Sequence, residues 1–105
     1  MLDKALQLTI YLDETDMHKD MALYEMVVRR LLHLHVAGAT VCRGIMGFGT
    51  HGQVHRQRLF GVSDDRPVMI IVVDREEKIR EVLPEVKRLV KEGLITIAPV
   101  EIVFP

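Results

Sequence analysis

The run VMIIVV, Val68–Val73, constrains the fold more than any other stretch of the chain. Six apolar residues are far short of the ~20 that a membrane-crossing helix needs. Apolar on both alternations, the run reads as a strand covered on both faces. The chain around it has 105 residues, 49% hydrophobic and only 5% aromatic. The core is therefore aliphatic, and a chain of this length buries roughly two-thirds of the surface its unfolded form exposes. That apolar content exceeds what one small domain readily hides, which predicts cover by a second subunit.

The periodicity around this strand sets the order of the elements. Leu6, Leu8, Ile10 and Leu12 alternate with Gln7, Thr9 and Tyr11, a strand with one buried face. Asp13–Asp16 (DETD) makes a turn in which Thr15 or Asp16 is a candidate helix N-cap. From Lys19 to Val36, Leu23, Val27, Leu31 and Leu34 recur at helical spacing, and Gly38 is the expected C-cap. A second strand is expected at Ala39–Met46 and the third at Val68–Val73. Asp74–Lys78 (DREEK) then opens a second helix with Ile79, Val82, Leu83, Val86, Leu89 and Val90 on one stripe. Pro84 implies a kink or local restart in that helix, and Gly93 closes it. Leu94–Phe104 is the last strand, and Pro99 points to an edge or a bulge.

Strand–helix–strand–strand–helix–strand with right-handed crossovers predicts one α+β domain over residues 1–105. This is the ferredoxin-like βαββαβ sandwich, an antiparallel four-stranded sheet with two helices on one face. The helix-free face carries Thr9, Tyr11 and Cys42 beside the apolar third strand, so a homo-oligomer built face to face is expected.

Charge and composition narrow the function. A net charge of −1 gives no basic field to capture nucleic acid. Cys42 is the one cysteine, which excludes an internal disulfide and suits a reducing compartment. The first residues, MLDKALQLTIYLDETD, lack a basic segment followed by an apolar core, so a cytoplasmic protein that is not membrane-inserted is expected. Nothing pairs a nucleophile with a base, and the acids of Asp13–Asp16 read as capping groups, so the protein is not expected to be an enzyme.

Chemistry concentrates after the second strand. Gly47, Gly49 and Gly52 spell G-x-G-x-x-G, but they follow the second strand and no long helical stripe comes after them. That excludes the dinucleotide fingerprint, which opens the helix of a first βαβ unit. The connection Gly47–Arg66 is twenty residues long, and loops of that length are usually functional. Its glycines, with Arg43, His55, Arg56 and Arg58 nearby, could form an anion nest; a plain solvated loop is the alternative.

Several segments, GATVCRGIMGFG (Gly38–Gly49), LTIYLDETD, LYE (Leu23–Glu25), PVMIIVVDREEKI (Pro67–Ile79) and EGLITIAPVEIV (Glu92–Val103), carry a resemblance over nearly the whole chain. Together they resemble a PII-like family of unknown function, relatives of the PII signal-transduction proteins. The resemblance implies a ferredoxin-like fold and a homotrimer. It also implies an adenine nucleotide as effector, with no required cofactor, held in clefts between subunits. The twenty-residue connection would match the T-loop, through which PII proteins reach partners, commonly membrane transporters. Carried over, the effector site comprises Arg43, Gly44, Met46, Gly47, Phe48, Gly49, His55, Arg56, Arg58 and the turn centred on Gly93. Where PII proteins place a glycine-rich basic segment before the last strand, KEGLITIAP offers only Lys91, which favours a ligand with fewer phosphates than ATP. The alternative is a divalent-metal-binding trimer of the CutA kind, using His51 and His55.

Overall fold

A computed structural model describes residues 2–48, 58–59, 62–63 and 66–103. The alternating first segment becomes β1 (Leu2–Asp13), and short strands β2 (Met17–His18) and β3 (Met21–Ala22) form a hairpin after it. Helix α1 (Leu23–His33) leads to β4 (Ala39–Arg43). Two short strands, β5 (Arg58–Leu59) and β6 (Val62–Ser63), pair within the long connection. Then come β7 (Pro67–Arg75), α2 (Glu76–Leu89) and β8 (Leu94–Val103).

The main sheet has the order β4-β7-β1-β8, and each pairing is antiparallel. This is the ferredoxin-like arrangement. The strand that is apolar on both alternations, β7, lies in the interior between β4 and β1. Pro99 sits on the edge strand β8 opposite Leu6, and an edge strand is where a residue without an N–H is tolerated.

Both helices cover the face that carries the even-numbered residues of β1 and β7. Leu8, Ile10, Ile70 and Val72 are fully buried there under Val27, Leu31, Ile79, Val82 and Val86. Each such side chain contributes roughly 1.5–3 kcal/mol of hydrophobic stabilisation. On the opposite face the odd residues Met69, Ile71 and Val73 are half-buried, and Tyr11 and Leu94 are exposed.

Several boundaries differ from the sequence expectation: the second strand stops at Arg43, short of Met46, and the second helix opens at Glu76, because Asp74 and Arg75 still pair in β7. The first helix starts at Leu23, because Lys19–Ala22 belongs to the hairpin. Lys19 takes φ 55° in the two-residue turn between β2 and β3. No side chain caps α1; Asp16 supplies its backbone carbonyl to the Leu23 N–H at 2.8 Å. The helix also stops earlier than Gly38 suggests. His35 adopts φ 65°, donating to the Leu32 carbonyl while Val36 donates to that of Leu31. That is a Schellman ending with histidine in the left-handed position usually given to glycine. Finally, α2 is continuous through Pro84, with no restart, and ends at Leu89 with Val90 as its C-cap, short of Gly93.

Candidate functional site: the root of the long connection

Four strand termini meet at one end of the sheet: the end of β1, the end of β4 and the starts of β7 and β8. The registers Asp13↔Pro67, Arg43↔Val68 and Tyr11↔Leu94 align them. The twenty-residue connection leaves and re-enters the fold here.

Asp13 organises this end. Its side chain is buried, 5% exposed, and its carboxylate accepts hydrogen bonds from the Thr15 N–H at 2.8 Å, the Thr15 hydroxyl at 2.6 Å and the Arg66 N–H at 3.1 Å. Glu14 adds a backbone donation to the Arg66 carbonyl at 2.7 Å. A buried carboxylate is tolerable only when so satisfied. The returning stem of the connection is thus tied to the end of β1 by two hydrogen bonds.

The outgoing stem is tied twice as well. The Gly44 N–H donates to the Pro67 carbonyl at 2.8 Å, and a β-carbon on Gly44 would come within 2.9 Å of the Pro67 ring. A side chain there would force the stems apart. Arg43 then forms a two-pronged ion pair with Glu14: Nη2 to Oε2 at 2.6 Å and Nε to Oε1 at 3.1 Å. That hydrogen bond, reinforced by the carboxylate charge, raises the guanidinium above its ordinary range. The Arg43 end is open to water, 69% exposed, whereas the Glu14 side chain is three-quarters covered, 24% exposed.

The structure gathers part of the expected site. Arg43, Gly44 and Gly47 lie at the root, the two glycines against Pro67. Met46 and Phe48 project into solvent, as does Ile45, leaving an exposed apolar segment beside the Arg43 fork. Gly93 is placed elsewhere. It lies on the far edge, beside β8, and β4 and β8 are separated by three strand spacings, about 14 Å. Its local role is packing: a β-carbon there would meet the Tyr11 carbonyl oxygen at 2.7 Å. Arg58 belongs to β5. Gly49, His51, His55 and Arg56 lie outside the described residues. Among the described residues no three His, Cys, Asp or Glu side chains cluster as a metal site.

Glu14 escaped the sequence reading as a site residue. Asp13 with Thr15 two residues on has the form of an Asx turn, but nothing local couples Glu14 to an arginine 29 positions away. The hairpin escaped too, and with it a half-open cavity of about 470 Å³ between His18, Lys19, Leu23, Arg88 and Lys91. Acids and bases both line it, and Arg88 is already engaged by Glu85 at 2.6 Å.

Residues 5–102 match the DUF190 family, described as Uncharacterized ACR. The chain belongs to DUF190. A UPF0166 protein of Methanocaldococcus jannaschii is 40% identical to it over 95 residues, covering 90% of this chain and 87% of that protein. A UPF0166 protein of Aquifex aeolicus is 32% identical over 97 residues, covering 92% and 91%. In structure, this DUF190 chain is similar to CPII of Thiomonas intermedia K12, a nitrogen regulatory PII-like protein solved with ADP, AMP and bicarbonate. The TM-score is 0.71 at 19% identity, over 100% of this chain and 99% of CPII. Such an identity establishes the shared PII-like fold, in agreement with the resemblance carried by the Gly38–Gly49 and Glu92–Val103 segments. No helix among the described residues is long and apolar enough to cross a membrane.

Proposed function

We propose that this DUF190 protein is a cytoplasmic, PII-like regulator that binds an adenine nucleotide at the root of its long connection and signals the bound state to a partner protein. The observation that carries the reading is the Arg43 fork, exposed and set directly beside the protruding Ile45, Met46 and Phe48. A guanidinium suits phosphate oxygens two at a time, and an apolar segment next to it suits a purine ring. The full-length fold match to a PII-like protein solved with ADP and AMP supports the choice of ligand.

A single chain offers only half of such a cleft, because Gly93 lies at the other edge of the sheet. Assembly through the open face, as a homotrimer in keeping with the fold, brings the β8 edge of one copy to the root of the next. The apolar surplus on that face, Met69, Ile71, Val73, Tyr11 and Leu94, supports the assembly.

Titration calorimetry with AMP, ADP and ATP tests the proposal. AMP or ADP is expected to bind with at most one site per chain, and ATP more weakly, since Lys91 is the one cation in KEGLITIAP. Absence of heat from all three nucleotides at millimolar concentration overturns it. So does sedimentation of single chains only at micromolar concentration.

A further inference from the structure

The root of the connection holds two neighbouring acids in opposite conditions. Asp13 is buried and its carboxylate accepts hydrogen bonds from Thr15 and from the Arg66 N–H. Glu14 has its backbone fastened to Arg66, which fixes where its side chain begins, while its partly covered carboxylate reaches the solvent-facing guanidinium of Arg43. The geometry around Arg43 is that of a guanidinium receiving a planar pair of oxygens, the same geometry it would offer a phosphate. With its guanidinium end open to solvent the pair is weakly held, because water and salt screen it and two side chains must be ordered to make it.

We infer that Glu14 is a built-in competitor for the anionic ligand. Its carboxylate occupies the Arg43 fork in the ligand-free protein and is exchanged for phosphate oxygens on binding. This deepens the nucleotide reading above and rests on it. The exchange trades one bidentate charge pair for another, so Arg43 is never left bare and the ligand is charged only the modest free energy of releasing Glu14. Glu14 thereby sets the concentration at which the site fills. It also selects among anions: a ligand with a single accepting oxygen cannot replace both prongs, whereas a di- or monophosphate group can.

A double-mutant cycle tests this, with calorimetry of ADP and of inorganic pyrophosphate on the full chain. Glu14→Gln is expected to tighten both ligands about two- to fivefold, the range for removing an exposed competing pair. Arg43→Gln is expected to weaken both about tenfold or more. In the Arg43→Gln background, adding Glu14→Gln is expected to change nothing. Equal tightening in both backgrounds would show a general charge effect and sink the competitor role. Unchanged affinity of Glu14→Gln, with the wild-type protein binding ADP normally, would also sink it while leaving the nucleotide reading intact. If neither the wild-type protein nor any variant binds ADP or pyrophosphate, both inferences fall together. Glu14→Asp guards against loss of folding as an explanation: it keeps the charge but shortens the reach, and is expected to tighten both ligands in the same direction.

Discussion

Ile70 and Ile71 are adjacent on one strand and chemically identical, yet they live in different surroundings. Ile70 is sealed between the sheet and the two helices, with none of its surface exposed. Ile71 points to the side that no helix covers and stays half-buried. The apolar residues of β7 and their neighbours on β1 repeat the contrast: Leu8, Ile10, Val68 and Val72 are buried on one side, while Met69, Val73 and Tyr11 line the other, where Ala5 and Thr9 are the covered exceptions. Position on the pleat, and not residue type, decides which apolar side chain stabilises the single chain. The second face is aliphatic without being an interior, which is what the proposed assembly would cover.

That contrast can be tested at several strengths. Ile70→Ala should cost about 2–5 kcal/mol in urea unfolding, through the lost transfer energy and the cavity left behind. Ile71→Ala should cost less at low protein concentration, with the gap narrowing as concentration rises and copies assemble. Equal costs at every concentration would remove the distinction between the faces. Ile71→Lys should leave far-ultraviolet circular dichroism unchanged in dilute solution but weaken assembly at least about tenfold in sedimentation, because a charge would be buried without a partner.

The two acids at the root provide a finer version of the same contrast. Asp13→Ala strands the Arg66 and Thr15 donors and should lower stability by about 1–3 kcal/mol. Glu14→Gln, which loses a pair whose arginine end is open to solvent, should cost less, within about 1 kcal/mol of the wild type. The smallest effect belongs to the water-facing side of α2. Hydrogen bonds from Arg88 hold the Glu85 carboxylate below its ordinary range, against an opposing effect of burial. A lowered folded-state pKa gives stability that is present above the unfolded-state value and lost as pH falls through the folded one. Melting curves of the wild type and Glu85→Gln should therefore separate slightly near neutrality and converge in acid.

How much of this was legible beforehand follows from how local each signal is. The parity of Leu6–Leu12, the double-sided run at Val68–Val73 and the helical stripes at Val27–Leu31 and Ile79–Leu89 all survive in the structure. Each is written in residues a few positions apart. The hairpin at Met17–Ala22 was hidden because its strands are only two residues long and its turn, with Lys19 in the left-handed region, contains no glycine. The end of α1 was misplaced for the same reason: His35 bears the left-handed backbone that glycine would have advertised. At the site, Arg43 and Gly44 were foreseeable as the start of a basic, glycine-rich connection. Gly93 was foreseeable as a turn before the last strand, but the close approach of the Tyr11 carbonyl that requires a glycine there was not.

Local periodicity was enough to dictate the order of strands and helices, the buried side of each, and the excess of aliphatic surface beyond what one chain can cover, since these depend on spacing alone. Chain closure was needed to set Glu14 against Arg43, to lay Gly44 on Pro67 and to send Gly93 to the opposite edge. Those meetings join residues tens of positions apart, and their partners are chosen by strand register and sheet order, which no single stretch of the chain encodes.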